Sequence, residues 1–121
     1  MALLDRWNHF WSKRIPPTAD LVLCRDCLVH LSNRDALEVL RNLLSSRAEW
    51  YLLTTLPTLE VNGDMVSGTS WRPLNLAVTP FSLGPPRRIL AELEQDPAGN
   101  AKALGLWTRA DVSRALHATA P

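Results

Sequence analysis

Apolar residues near the start of the chain recur at helical spacing. Residues 2 to 14 repeat large apolar side chains every three or four positions, and Pro16 and Pro17 end that pattern. The spacing predicts an N-terminal amphipathic helix within residues 1 to 16. The apolar side chains of its predicted face are Leu3, Leu4, Trp7, Phe10 and Trp11.

The next segment alternates between strand-like and helix-like patterns. Residues 20 to 24, "DLVLC", and residues 50 to 55, "WYLLTT", are continuous apolar runs typical of strands buried on both faces. Between them, Ser32 and Asn33 can cap an amphipathic helix that runs from about Arg34 to Ser46. A strand, a helix and a strand in this order predict a right-handed βαβ unit with parallel neighbouring strands.

Beyond Pro57 the pattern is irregular, and such a long loop is typical of a binding segment. "RILAELEQ" at residues 88 to 95 fits a strand or a helix equally well, and residues 96 to 100 form a turn signal. "ALGLW" predicts a short strand, and Thr108 or Asp111 can cap a final helix through His117. The predicted fold is therefore α/β, with about four strands that include a parallel pair and an antiparallel C-terminal pair.

Composition narrows the class of protein. The chain has 121 residues, 46% of them hydrophobic, with a net charge of +1, which predicts one small domain with a single core. Its cations are scattered, so we expect no nucleic-acid partner, and it has no apolar run long enough to span a membrane. Two cysteines and no signal-peptide pattern favour a cytoplasmic location.

Cys24 and Cys27 form a C-x-x-C pair. It can be interpreted as two buried structural thiols, as a redox site or as part of a zinc site. A thioredoxin-like redox site is disfavoured, because only about 30 residues separate Cys27 from Pro57 and the pair does not sit at a helix N-terminus. A zinc site would combine both sulfurs with His30 and a fourth ligand, His9 or His117, but a second ligand pair is missing. We expect two reduced thiols, at least one of them buried.

Polar residues follow both predicted strands at the place where ligands bind in open parallel sheets. Arg25, Asp26 and His30 lie just past the first strand, and Thr54 and Thr55 end the second. Because the carboxyl ends of parallel neighbours meet at one rim, we expect these groups to converge under the long loop. Each of them could equally have only a packing or turn-capping role.

Five segments follow one another between about residues 17 and 112: "ADLVLCRDCLVHLSNRDALEVLRNL", "YLLTT", "SGTSWRPLNL", "PFSLGPP" and "KALGLW". Together they resemble the C-terminal half of a bacterial family of class I S-adenosylmethionine-dependent methyltransferases. The resemblance implies that the first and second predicted strands are the fourth and fifth strands of a Rossmann-like sheet. It also implies that "ALGLW" belongs to the final antiparallel pair, and that residues 17 to 121 form a methyltransferase-like half domain.

The resemblance also implies roles for individual residues. Asp26 or His30 would act as the general base, toward a small-molecule or glycan-like acceptor, with S-adenosylmethionine as the methyl donor. The residues implied to shape the acceptor pocket are Arg25, Thr54, Trp71, Arg72 and Asn75.

The chain departs from that family in its first part. Its first glycine is Gly63, so no glycine-rich turn follows an N-terminal strand to hold the cofactor. We therefore expect either that another chain supplies the missing half or that the domain does not methylate by itself.

The alternative is a non-catalytic interaction module. For either function we expect a homodimer joined through the N-terminal helix and the exposed sheet edge around Leu21 to Cys24.

Overall fold

The computed structural model describes residues 2–4 and 20–119, which form a mixed sheet and two α-helices. The strands are β1 (Ala2–Leu4), β2 (Leu21–Cys24), β3 (Trp50–Thr55), β4 (Arg88–Gln95) and β5 (Ala101–Thr108), and the helices are α1 (Asn33–Leu44) and α2 (Arg109–Thr119). The strand order is β1-β2-β3-β5-β4. β1, β2 and β3 are parallel, whereas β5 runs antiparallel to both of its neighbours. The α/β class is confirmed, with the four expected strands β2 to β5 and a short fifth.

The predicted βαβ unit is confirmed. β2 pairs parallel with β3, from Leu21 opposite Trp50 to Cys24 opposite Leu53. The connecting helix α1 begins where its cap predicts, because the Ser32 hydroxyl accepts a hydrogen bond from the Asp35 N–H at 3.1 Å. Its buried face carries Ala36, Val39, Leu40 and Leu43.

The N-terminal prediction falls mostly on residues 5–19, which lie outside the described residues. Its first three residues, Ala2–Leu4, form strand β1 rather than helix and pair with Val22 to Cys24. The predicted free edge at Leu21 to Cys24 is thus wrong for Val22 to Cys24, since β1 pairs with β2 along these three residues. An unpaired edge of β2 was the reason to expect a homodimer there, and the pairing with β1 removes that reason.

One face of the sheet carries the core and both described helices. Tyr51 and Trp107 lie opposite each other on β3 and β5 and are fully buried. The Tyr51 hydroxyl donates to the Leu43 carbonyl of α1 at 3.2 Å and accepts from Arg109 of α2 at 3.1 Å, which places both helices on this face. On the opposite face, Trp50 and Leu90 are 41% and 54% exposed.

The long segment between β3 and β4 is folded tightly onto the core despite its irregular sequence. Five of its apolar side chains are buried almost completely: Leu56, Leu74, Leu76, Phe81 and Leu83. After it, β4 and β5 form a hairpin whose turn is closed by the Asp96 carboxylate, which accepts from the Asn100 N–H at 2.7 Å. Neither of the described helices combines the length and the apolar character that a membrane span requires.

Candidate functional site

The candidate site lies at the carboxyl ends of β2 and β3. Asp26 follows β2 by two residues and has a positive φ of 56°, a left-handed conformation that aspartate tolerates better than most residues. Its N–H donates to the Thr54 hydroxyl at 2.7 Å, and Thr54 itself is buried at the end of β3. The expected convergence of Asp26 and Thr54 at one rim is therefore present.

A buried lysine holds the Asp26 carboxylate. The Nζ of Lys102 lies 2.7 Å from Oδ1 of Asp26 and 3.1 Å from Oε1 of Glu94, although the Lys102 side chain is only 7% exposed. Burial lowers the pKa of Lys102, but the hydrogen bonds to Asp26 and Glu94 outweigh it, and the net pKa is raised. Lys102 therefore stays charged, and it fixes a carboxylate that is 37% exposed.

Arg25 and Glu92 complete this group of charges, which we call the rim cluster: Arg25, Asp26, Glu92, Glu94 and Lys102. The Nε of Arg25 donates to Oε1 of Glu92 at 3.0 Å, and this bond raises the pKa of Arg25. The other oxygen, Oε2 of Glu92, is buried 3.5 Å from Nζ of Lys102, close enough for an ion pair but outside hydrogen-bond geometry. Three carboxylates face two cations, so the rim cluster carries a net negative charge.

His30 points toward the long loop. Its Nδ1 lies 3.2 Å from the Ser70 carbonyl, and its own carbonyl accepts from the Gly68 N–H at 2.8 Å. The hydrogen bonds of Asp26 run instead to Thr54 and Lys102. Of the two candidate bases, only Asp26 belongs to the rim cluster, and its carboxylate is partly exposed to solvent.

Arg72 anchors the long loop to the segment that precedes and begins α1. Its backbone N–H donates to the Val29 carbonyl at 3.0 Å, and its Nη2 donates to the Leu31 carbonyl at 2.7 Å. Its Nη1 donates to the Asn33 side chain and to the Gly63 carbonyl. Burial lowers the pKa of Arg72, only partly offset by the negative charge of Asp64. The Nε of Arg72 is buried without a hydrogen-bond partner.

Asn75 organises the same loop from inside. Its Nδ2 donates to the carbonyls of Pro57 and Leu59 at 3.2 and 2.9 Å, and its Oδ1 accepts from the Ala77 N–H at 3.0 Å. Asn62 binds the backbone N–H of Asn75 at 2.8 Å. The polar side-chain atoms of Asn75 thus form hydrogen bonds with backbone groups of the protein. The Nη1 and Nη2 atoms of Arg72 also have partners within the protein, and its Nε has none. The predicted contact of Asn75 and Arg72 with an acceptor stays a prediction, as does that of Trp71, which packs partly buried against the core.

A small cavity opens beside this loop on the helix-bearing face of the sheet. Its volume is about 230 Å³, and it is lined by Thr55, Pro57, Asn75, Ala77, Pro85, Pro86 and Trp107. Two lining polar groups already have partners: the Thr55 hydroxyl accepts from the Leu76 N–H at 3.0 Å, and the Trp107 N–H donates to the Gly84 carbonyl at 2.9 Å. The cavity therefore suits a small apolar group.

The two cysteines are reduced and buried, as predicted. A hydrogen bond with Cys27 and burial both raise the pKa of Cys24, the opposite of what an attacking thiolate requires. Cys27 precedes a short 3₁₀ helix, Leu28–His30, rather than α1. Within residues 2–4 and 20–119, no group of three or more His, Cys, Asp or Glu side chains could hold a metal ion.

Sequence reasoning missed Lys102, Glu92 and Glu94. A signal for them exists in the alternation of "LAELEQ", which places both glutamates on one face of a strand. That signal could be used only once residues 88 to 95 were known to be a strand paired with the segment that contains Lys102.

No protein-family model matches the chain, and no curated protein or solved structure matches it either.

Proposed function

We propose that this chain is a methyltransferase-type half domain that forms the acceptor side of a class I S-adenosylmethionine-dependent fold. The observation that carries the proposal is the order and direction of β2, β3, β5 and β4. Two parallel strands joined by a helix, then an antiparallel hairpin whose second strand inserts beside β3, agree with the sheet that the sequence resemblance implies.

The rim cluster supports the acceptor-side role. Asp26 lies past the carboxyl end of β2, where ligands bind in open parallel sheets, and its carboxylate is held by Lys102 while part of it faces solvent. A carboxylate so placed can orient an acceptor hydroxyl or amine and accept its proton. Arg25 flanks this position, with its Nε 3.9 Å from Oδ2 of Asp26, while His30 contacts the Ser70 carbonyl of the long loop. A small or glycan-like acceptor would lie between the rim cluster and the long loop.

The cofactor does not fit the residues present. Class I methyltransferases hold S-adenosylmethionine on a glycine-rich turn, where the absence of side chains lets backbone approach the ligand. The chain has no glycine before Gly63, and the five residues after β1 are Asp-Arg-Trp-Asn-His. We therefore derive no methyl-transfer step from this chain, and propose that a different polypeptide segment supplies the cofactor cradle.

Isothermal titration with S-adenosylmethionine tests the proposal in two arms. The chain alone should give no heat at millimolar cofactor, and micromolar binding there would contradict the half-domain proposal. Co-expressed with a segment that carries the first strands and glycine-rich turn, such as one encoded upstream, it should bind cofactor at micromolar concentration. A folded complex that binds no cofactor would overturn the proposal.

A second candidate is a non-catalytic interaction module with the same fold. The observation in its favour is that Arg72 and Asn75 use most of their polar atoms on the protein's own backbone, while β4 exposes three large apolar side chains. The co-expression titration separates the two candidates, because the module predicts a folded complex that binds no cofactor and the half-domain proposal predicts micromolar binding.

A further inference from the structure

Strand β4 forms one end of the sheet and exposes three large apolar side chains. It pairs with β5 on one side, and no other described strand pairs with it on the opposite side. Ile89 and Leu90 are 50% and 54% exposed, and Leu93 is fully exposed. A long edge strand with exposed apolar side chains is a template for pairing with another strand.

The register of β4 against β5 shifts between Ala91 and Gln95. Ala91 lies opposite Ala103, and Gln95 lies opposite Ala101, so β4 contains two residues more than β5 between these pairs. Because two extra residues preserve the alternation, Arg88, Leu90, Glu92 and Glu94 share one face. The contacts of Glu92 and Glu94 with Lys102 agree with that assignment. Ile89, Ala91 and Leu93 share the other face.

Two kinds of cross-strand pair are complementary when two copies of β4 run antiparallel, whereas Leu90 lies opposite Glu92, whose carboxylate is turned inward to Arg25 and Lys102. Centred on Ala91, the two strands place Arg88 of one copy opposite Glu94 of the other, twice by symmetry. On the opposite face the same register places Ile89 opposite Leu93. Oppositely charged and apolar cross-strand pairs each stabilise an antiparallel ladder by roughly 0.2–1 kcal/mol relative to alanine pairs.

The side chains needed for this pairing are accessible. The Glu94 side chain is 64% exposed even though Oε1 contacts Lys102, so it can also accept from an arginine of a second copy. Arg88 is exposed, and it follows Arg87, whose guanidinium is already bound to Asp111. The charge that would repel a second copy is reduced, because Glu92 is turned inward to Arg25 and Lys102.

We propose that the occupant of this edge is a second copy of the chain. Two β4 strands, antiparallel about Ala91, then join two sheets into one continuous sheet of ten strands with twofold symmetry. This interface lies at the end of the sheet opposite β1, away from the Leu21 to Cys24 edge. It does not depend on the methyltransferase proposal, because it uses β4 alone.

Sedimentation velocity across micromolar concentrations tests the proposal on the full chain. The wild type should show a concentration-dependent dimer. Arg88→Glu, which places two glutamates opposite each other, should raise the dimer dissociation constant about tenfold or more. Leu93→Lys should have a similar effect, because it replaces an apolar pair with a charge.

Two matched variants control for charge and for surface hydrophobicity. Arg34→Glu makes the same change of charge at an exposed position of α1, and Val61→Lys replaces an exposed apolar residue of the long loop. Both should leave the dissociation constant unchanged. Circular dichroism establishes that each variant is folded.

Hydrogen exchange locates the interface independently of any variant. The amides of residues 88–95 should become more protected as the protein concentration rises. A wild type that stays monomeric across the range would overturn the proposal. A dimer whose dissociation constant is unaffected by both β4 variants, or whose protection lies elsewhere, would overturn it too.

Discussion

The Nζ of Lys102 lies 2.7 Å from Oδ1 of Asp26, although the two residues are 76 positions apart in the chain. This contact ties the start of β5 to the turn that follows β2. It connects the C-terminal hairpin to the strand-end rim, and it holds Asp26 in its left-handed conformation together with the hydrogen bond to Thr54.

Replacing the lysine should show what this contact contributes. Lys102→Met keeps the aliphatic length of the side chain but removes the ammonium group that faces Asp26 and Glu92. Because one partner of a largely buried ion pair is lost, the free energy of unfolding should fall by about 2–3 kcal/mol. Urea denaturation at neutral pH measures the change. Arg41→Met on the exposed face of α1 is the control, because its ion pair with Glu38 is exposed. Equal effects of the two substitutions would contradict the assigned role of Lys102.

The start of α2 should make stability depend on pH. Asp111 accepts two hydrogen bonds from Arg87, at 2.8 and 3.0 Å, and exchanges hydrogen bonds with Thr108 in a capping arrangement. The bonds from Arg87, followed by those from Thr108 and Arg114, outweigh burial and hold the pKa of Asp111 far below its ordinary value.

The pKa of Asp111 is lower in the folded than in the unfolded state. Its stabilisation is therefore complete above the pKa of an unfolded aspartate, about 4, and is lost as the pH falls below that value. Asp111→Asn keeps the shape and one acceptor but removes the charge. We expect the wild type to exceed it in melting temperature at neutral pH, with a gap that holds down to about pH 4 and narrows below it. A gap that is constant with pH would show that the charge of Asp111 does not stabilise the fold.

Gly105 allows the Trp107 ring to lie against the sheet. A Cβ atom at Gly105 would lie 2.6 Å from Cη2 of Trp107 and 3.2 Å from Cγ2 of Thr55. The ring cannot move freely, because its N–H donates to the Gly84 carbonyl. Gly105→Ala should therefore destabilise the fold by about 1–3 kcal/mol through overpacking.

The matched control is Gly63→Ala, since a Cβ there meets no atom within 4 Å and the backbone φ is not positive. Thermal unfolding followed by tryptophan fluorescence measures both variants. Unchanged stability of Gly105→Ala would mean that the ring can shift without cost.

Arg72 should not be replaceable by lysine. Its guanidinium donates to three acceptors in different directions, the Leu31 and Gly63 carbonyls and the Asn33 side chain, and a lysine cannot reproduce that planar fork. Arg72→Lys should lower the free energy of unfolding by about 1–3 kcal/mol, because buried acceptors lose their donors. It should also speed proteolysis within residues 56–87. Arg34→Lys, at an exposed site, is the control, and equal proteolysis of the two variants would refute the anchoring role.

The βαβ unit and its helix cap could be predicted from the sequence because their signals are local. The apolar runs at residues 20 to 24 and 50 to 55, and the Ser32 cap, depend on neighbours a few positions away. The same holds for the final helix, where Thr108 and Asp111 cap each other across three residues. The convergence of Asp26 with Thr54 also followed from the sequence, because parallel strands end at one rim.

The remaining features were decided by contacts between distant segments. "RILAELEQ" satisfies both a period of two and a helical period, and only pairing with β5 makes it a strand. Ala2–Leu4 has an apolar pattern that suits a helix, but the unpaired edge of β2 offers it backbone hydrogen bonds and makes it β1. The Lys102 contact with Asp26 required the hairpin to fold back beside β3. Backbone hydrogen bonding between strands is non-local, so local residue patterns alone do not determine which segments pair or which side chains meet.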